Sequence, residues 1–514
     1  MQDLAAKPLD DTVAKPVTKL NLIAGLLDVF HKQNILYCHW KSNEHLDASM
    51  TGDTDLDVLF DIKQKGKLLQ HLHTLGFKKF DSIKEKQYHD IEDYIGLDIP
   101  SGKVVHLHAH FRMTMGETYL KGYQLALEDK ILKSRVYDET FGIYTSSPAF
   151  ELILLYFREA LKLRNREALK MSLLNRVNYS ENVMKEYRWL KERVTDSQIE
   201  TILKSLFNNY RPIYNLVTGR FNRKELQKLA LLIKKEFKKY RLYSPAEATL
   251  TRWYREATVL FSRKLATLLN RPIMSQRINP RGGLTIAVVG ADGSGKSTVT
   301  ADLQNTFRTK LDVYRVYLGR GDGKISLARK VLLGARKMVG PEPKKGTAKK
   351  GNRNSGNKQK GLLANVYKCI EAMLVANEKS RNLERMQQAK QKGMLVICDR
   401  FPQNQIMGYN DGPLLNHLAK SSNPVFRAIS DLEAKVYKKA ENNPPDLVIK
   451  LIAEAEVVEA RKPGETSLEM LEAKIAGIKA LQFKDSCQVI TIDASQPLGT
   501  VLATVKKAIW NNYR

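Results

Sequence analysis

One stretch limits the fold of this chain more than any other: Leu284-Thr-Ile-Ala-Val-Val-Gly290-Ala-Asp292-Gly293-Ser294-Gly295-Lys296-Ser297-Thr298. Leu284 to Val289 are apolar or β-branched and read as a buried strand. Val299 to Leu311 read as a helix with Leu303, Phe307 and Leu311 on one face. Between them stands G-x-x-x-x-G-K-[ST], a pattern that carries weight only with a strand before it and a helix after it. Gly290, Gly293 and Gly295 let backbone N–H groups curl around phosphate oxygens, and the helix N-terminus adds its positive end. In such a loop Lys296 reaches the terminal phosphates and Ser297 holds Mg2+. The chain is therefore expected to bind a nucleoside triphosphate, ATP, through Gly290 and the run Asp292 to Thr298.

With 514 residues the chain exceeds one ordinary core, and two or three domains are expected. The four cysteines, Cys38, Cys369, Cys398 and Cys487, show no pairing of the kind zinc requires. Cys398 sits in an apolar strand pattern, where a small buried thiol is the default. The first residues lack a signal-peptide layout, and the longest apolar runs fall well short of the ~20 residues that cross a bilayer. A soluble, cytoplasmic chain in a reducing compartment is expected.

The formal charge is +29 and is unevenly spread. Between Glu151 and Pro280 there are 27 Lys+Arg against 12 Asp+Glu; between Arg320 and Gly361, 13 against 2. Such an excess suits an anionic partner: a phosphorylated small molecule, an acidic membrane surface or nucleic acid. The competing reading is a merely solvated basic surface. No nucleic-acid-binding signature accompanies the charge.

Three regions follow from the patterning. Residues 18–147 alternate helical and strand patterns. Residues 150–275 are almost purely helical and basic, and Pro272, Pro280 and Gly282-Gly283 close them. From 284 to 514 strands and helices alternate, which predicts a parallel α/β sheet. Within this last region residues 340–361 are low-complexity and basic, and are expected to form a mobile loop. A helix is predicted from Ala364 to about Lys392.

Four further segments of the last region bear on phosphate chemistry. Val313-Tyr-Arg-Val-Tyr-Leu-Gly-Arg320-Gly-Asp-Gly reads as a strand ending in a glycine-flanked arginine. Met394-Leu-Val-Ile-Cys-Asp399-Arg400-Phe401-Pro402 puts an acid at the end of a buried strand, which suits Mg2+, beside a guanidinium fork for phosphate oxygens. Leu447-Val-Ile-Lys-Leu-Ile is another strand, followed by a helix carrying Arg461 and Lys462. Val489-Ile-Thr-Ile-Asp493-Ala-Ser-Gln-Pro closes the region. Structural ion pairing of Asp399 with Arg400, and an idle exposed Arg461, are the bland alternatives.

The order of these motifs resembles the thymidylate kinase family of nucleoside monophosphate kinases over roughly residues 284–514. Gly-Ala-Asp-Gly-Ser-Gly-Lys-Ser-Thr looks like the family's G-x-D-G-x-G-K-[ST], and Asp399-Arg400-Phe401 resembles its Asp-Arg-Tyr. The resemblance implies catalytic roles for Lys296, Asp399, Arg400 and the lid residue Arg461. It implies an acceptor site at Asp292, Arg320 and Phe401, and Mg2+ at Ser297 and Asp399. Lys379 or Arg381 matches the family's helix arginine, and the spacing does not decide between them. The family's Arg-Glu-Pro-Gly-Gly-Thr is absent, with Gly319-Arg320-Gly-Asp-Gly in its place, so the thymine-reading residues find no counterpart.

Nearer the amino terminus stands Gly52-Asp53-Thr54-Asp55-Leu56-Asp57-Val58. Asp55 and Asp57, two apart on a strand, point to one face and are placed to share Mg2+. Upstream lies His39-Trp40-Lys41-Ser42, with twelve residues between Ser42 and Asp55. That spacing resembles the nucleotidyltransferase fold over about residues 20–145, although Lys41 takes the place of its glycine. The resemblance implies an α+β domain with a third carboxylate on a later strand. The candidate strand instead carries His106, His108 and His110, with Asp98 as a weaker acid. The three histidines share one face, either as ligands of a metal or phosphate or as polar residues of a half-exposed strand.

Together these features predict an ATP- and Mg2+-dependent kinase of a phosphorylated small acceptor, fused to a nucleotidyltransferase-like module. A nucleic-acid end-processing enzyme and a non-catalytic nucleotide sensor are the alternatives.

Overall fold

A computed structural model describes residues 19–164, 180–320, 329, 356–407, 409–464 and 466–513, with backbone alone over 356–364. The chain divides into two compact units. The first comprises Met1–Lys78, Lys86–Asp98 and Val105–Glu256; the second comprises Lys79–Glu85, Ile99–Val104 and Ala257–Arg514.

In the first unit the strands β1 (Tyr37–His39), β2 (Leu56–Phe60), β3 (Ile91–Asp98), β4 (Lys103–His110), β5 (Val136–Asp138) and β6 (Ile143–Thr145) lie in the order β3-β4-β2-β1-β6-β5. β1 runs antiparallel to β2, while β2 and β4 are parallel and place Asp57 opposite His108. The two-residue period of a strand divides the side chains between two cores. Leu56, Val58, Phe60, Val105, Leu107 and Ala109 join α1 (Asn21–Lys32), whose Ile23, Leu26 and Phe30 are buried, in one core. Asp57 and the three histidines therefore project from the opposite face.

That opposite face meets helices. Ser147 caps α2 (Pro148–Lys162) through its hydroxyl, which accepts from the Phe150 N–H. The helix is apolar nearly all round, and Leu152 to Phe157 are almost fully buried. Around it pack α3 (Glu181–Lys191), α4 (Asp196–Leu206), α5 (Arg211–Thr218) and α6 (Arg223–Glu236), contributing Leu190, Leu203, Val217 and Leu229 to a shared core.

The second unit is built on β7 (Leu284–Gly290), β8 (Val313–Tyr317), β9 (Leu395–Asp399), β10 (Leu447–Ile452) and β11 (Gln488–Asp493). All are parallel, in the order β8-β9-β7-β10-β11. β7, β9 and β10 are buried along their whole length, which explains their unbroken apolar runs. Its helices include α7 (Lys296–Arg308), α8 (Gly356–Gln391), α9 (Pro424–Asn442), α10 (Ala455–Arg461), α11 (Leu468–Ala480) and α12 (Leu498–Asn512). Central β7 has β9 on one side and β10 on the other, so the sheet reverses its order there. The carboxyl ends of β7 and β9 open a crevice at such a reversal.

One expectation is corrected. Residues 356–361, expected within a mobile loop, form the first turns of α8, which starts before Ala364. Lys358, Gln359 and Lys360 are good helix formers, and extending an existing helix costs far less than starting one. The rest of the expected loop, 340–355, lies outside the described residues.

Candidate functional site

The loop between β7 and α7 is shaped by its glycines. Gly293 (φ 90°) and Gly295 (φ 92°) adopt left-handed backbone that side chains resist. Gly290 is needed for a different reason: a Cβ there would run into Ser294 Oγ and, at 2.6 Å, the Leu451 carbonyl of β10. Lys296 opens α7, and its ammonium donates to the Ala291 carbonyl at 2.7 Å. Burial pushes the Lys296 pKa down to about 8, with Arg400 adding to the fall against the pull of Asp292. Ser297 and Thr298 are exposed on the first turn of α7. They line a cleft of about 440 Å3 together with Arg461, Lys462, Gln496 and the apolar Leu498 and Val501. Arg461 is anchored there by a 2.9 Å hydrogen bond to the Ala494 carbonyl.

Asp399 ends β9, in register with Val288 of β7. Its carboxylate is 1% exposed. Oδ2 accepts from Thr300 Oγ1 and pairs with Arg315, both at 3.3 Å, while buried Oδ1 has no hydrogen-bond partner among the described residues. An anionic oxygen left bare in the interior is costly unless a cation meets it, so the residues present fit a divalent ion between Asp399 and the exposed Ser297.

Arg400 follows in left-handed backbone (φ 71°), which turns its side chain back towards the loop. Its guanidinium pairs with Asp292 at 2.5 Å and with Asp411 at 3.4 Å. Lys474 of α11 reaches the other oxygen of Asp292 at 3.3 Å. Burial alone would raise the Asp292 carboxyl, but Arg400 first, then Lys296 and Lys474, hold it well below the usual carboxylate range. Gly319 lies so near that a Cβ would strike Arg400 Cδ and the Tyr317 ring.

The structure distinguishes the two α8 candidates. Lys379 is fully buried and donates to Tyr437 Oη at 3.1 Å and the Asp411 carbonyl at 3.2 Å, whereas Arg381 is exposed. Burial pushes the Lys379 pKa down to about 8. Arg320 is exposed and pairs with Glu371 at 3.7 Å. Phe401, expected at the acceptor, is buried and lines a cleft of about 240 Å3 with Pro402, Glu441 and Phe483.

Several of these residues carried no signal in the sequence. Asp411 sits in Asn410-Asp411-Gly412, which reads as an ordinary turn, and Lys474 as one of many helical lysines. Arg315 alone was detectable, as a charged residue in the middle of a strand pattern.

A second polar cluster occupies the histidine-bearing face in the first unit. His106 bridges Asp55 (2.9 Å) and Asp93 of β3 (2.8 Å). Asp57 receives Lys41 and His108 Nδ1, each at 2.9 Å, and His110 Nε2 lies 3.7 Å away. Asp55 and Asp57 share a face, as the strand period requires, yet each is engaged by a different histidine. The half-exposed alternative for the strand is corrected, since His106 and His110 are 0% and 1% exposed. Asp98 points elsewhere and accepts from the Leu22 N–H at the start of α1. Asp93, unflagged in the sequence, is the acid that meets the histidines.

No family model matches the chain. The uncharacterized ATP-binding protein YghR of Escherichia coli K12 is 29% identical over 225 residues, which is 44% of this chain and 86% of YghR. The uncharacterized ATP-binding protein YghS of the same organism is 30% identical over 251 residues, covering 46% of this chain and 98% of YghS. Among solved structures, deoxyadenosine kinase from M. mycoides with bound dCTP spans 44% of this chain and 98% of its own, at 13% identity and a TM-score of 0.24. That last likeness is too slight to bear on the fold. The near-complete coverage of YghS places the chain: it belongs to the family of the Escherichia coli ATP-binding proteins YghS and YghR.

Proposed function

We propose that the second unit is a P-loop kinase that transfers the γ-phosphoryl group of ATP to a small phosphorylated acceptor, with Mg2+ held by Ser297 and Asp399. The single observation that carries this reading is the cluster around Asp292. A loop that merely bound a triphosphate would have no use for an anionic side chain inside it. Here Asp292 is held ionised by Arg400 and Lys474, with buried Lys379 sharing Asp411 with Arg400. Such a setting suits an acceptor that brings both a hydroxyl for Asp292 and a phosphate for the cations. The names of the two relatives support ATP as the donor.

Transfer of this kind needs positioning and charge neutralisation more than covalent chemistry. Lys296 and the loop N–H groups hold the donor phosphates, and Arg461 and Lys462 stand on the cleft rim as lid cations. Leu498 and Val501 offer an apolar seat for the base. Arg400 lies between donor and acceptor and can exchange Asp292 for phosphate oxygens as charge develops. Bound Mg2+ supplies neutralisation of the donor's phosphate charge. The acceptor classes that fit are a nucleoside monophosphate such as dTMP, or a sugar phosphate, with Arg320 on the acceptor side. For the first unit, the spacing from Ser42 to Asp55 supports a nucleotidyltransferase-like module.

The test is incubation with γ-labelled ATP and separate pools of deoxynucleoside monophosphates, sugar phosphates and 5′-hydroxyl oligonucleotides. Label in either of the first two pools is expected. Label on the oligonucleotides alone overturns the reading, and ATP retained without turnover on any pool favours a sensor.

A further inference from the structure

The histidine-bearing face of the first unit carries a feature that neither kinase chemistry nor a carboxylate pair for Mg2+ requires. We infer that Asp57, His108 and His110 form a site for one divalent transition-metal ion of nitrogen-preferring type, such as zinc.

Three observations meet at this point. First, each of the three residues offers a ligand atom, and those atoms lie within 4.8 Å of one another. Parallel pairing of β2 with β4 produces this convergence, by setting Asp57 opposite His108 with His110 next along the same face. Second, His110 is 1% exposed and lines a cavity of about 430 Å3, and among the described residues neither ring nitrogen has a hydrogen-bond partner. Its Nε2 is 3.7 Å from Asp57 Oδ1, beyond hydrogen-bond reach. A buried imidazole whose ion-pair partner stands off at 3.7 Å is poorly satisfied, and an ion between the two groups would meet both. Third, Asp57 lines the same cavity and meets a cation there, the Lys41 ammonium at 2.9 Å, whose place a metal ion would take.

The protonation states agree with the geometry. Burial disfavours the protonated imidazole at both His108 and His110, as metal ligation also does. Burial opposes ionisation of Asp57, yet Lys41 and the histidines hold it well below the usual carboxylate range. Two neutral imidazoles and one carboxylate match zinc, iron or cobalt, whereas Mg2+ prefers oxygen alone. Supporting contacts orient the rings: His108 Nε2 faces Asp93 at 4.0 Å, and His110 stands edge-on to Trp40 with centroids 5.1 Å apart. Three protein ligands leave positions open to the cavity, whose lining includes both lysines, Lys41, Lys121 and Lys162, and the carboxylates of Asp55 and Glu159.

This inference concerns the first unit alone and is independent of the kinase reading. It is tested on the 514-residue chain without a tag, stripped with EDTA and reloaded with Zn2+ or Co2+ without nucleotide. The wild type is expected to retain about one zinc per chain through gel filtration, and its cobalt form to show visible d–d bands. Asp57→Asn and His110→Ala should each weaken binding by at least about 100-fold, as loss of a primary ligand must exceed loss of a supporting one. Lys41→Met keeps all three ligands, removes the competing ammonium and should bind about tenfold tighter, a gain of ~1.4 kcal/mol. Wild type without retained zinc or cobalt bands overturns the assignment. So does unchanged binding in Asp57→Asn or His110→Ala, or unchanged or weaker binding in Lys41→Met. Thermal unfolding of each variant separates ligand loss from misfolding.

Discussion

Asp292, inside the phosphate-binding loop, and Arg400, at the end of the neighbouring strand, form a 2.5 Å ion pair. In the proposed reading the pair joins the donor side of the cleft to the acceptor side. Asp292→Asn should leave ATP affinity within about threefold while turnover with acceptor falls by roughly 100-fold, the usual scale for losing one charge at a reacting centre. Arg400→Lys should cost a similar factor, because an ammonium cannot engage two carboxylates as a planar fork does. In a double-mutant cycle the two effects should fall well short of additive. Full additivity in kcat would mean that the pair does not act as a unit.

Asp399→Asn tests the bare Oδ1. The amide preserves shape and can still accept from Thr300, but it removes the anionic charge a divalent cation needs. The Mg2+ concentration for half-maximal activity should rise at least about tenfold, with kcat down by ~100-fold. An unchanged Mg2+ titration curve would place the ion elsewhere.

Lys296 predicts a pH effect with a definite sign. In the free protein its pKa is pushed down to about 8 by burial, and bound phosphates should raise it again. ATP affinity should therefore be flat below pH 7 and fall as pH rises through 8, with net proton uptake on binding. Calorimetry at pH 8 in two buffers of different ionisation enthalpy measures that uptake directly, and Lys296→Met should abolish it. Stability runs the other way. The unfolded lysine binds more protons between pH 8 and 10.5, so this group makes stability rise with pH across that window.

Two loop glycines should separate backbone strain from packing. Gly293 and Gly295 both have φ near 90°, so alanine at either costs about 1–2 kcal/mol of strain. At Gly295 a Cβ meets nothing within 4 Å, whereas at Gly293 it lies 2.8 Å from Val458 Cγ1. Denaturant unfolding should find Gly293→Ala the costlier. Val458→Ala should recover the difference in the Gly293 background and nothing in the Gly295 background.

Much of the second unit was legible because its signals are local. A buried parallel strand needs an unbroken apolar run, and a phosphate loop needs glycines at set intervals, so β7 and the start of α7 could be read directly. Asp399 and Arg400 were legible for the same reason, as polar residues at the end of such a run. The shared face of Asp55 and Asp57, and of the three histidines, followed from the two-residue period of a strand.

Tertiary structure decided which of these residues meet. Nothing in the spacing of Asp57 and His108 says that β2 and β4 are neighbours, or that their pairing is parallel and in that register. Nothing local marks Asp93 as the partner of His106, Lys474 as the partner of Asp292, or Lys379 as buried while Arg381 is exposed. Each depends on contacts between segments far apart in the chain. The sequence alone determined that a phosphate loop must form; the sheet order and the backbone turn at Arg400 decided what faces it. Local patterning specifies conformation and facing, whereas the partner of a charge is set by strand order, register and helix packing.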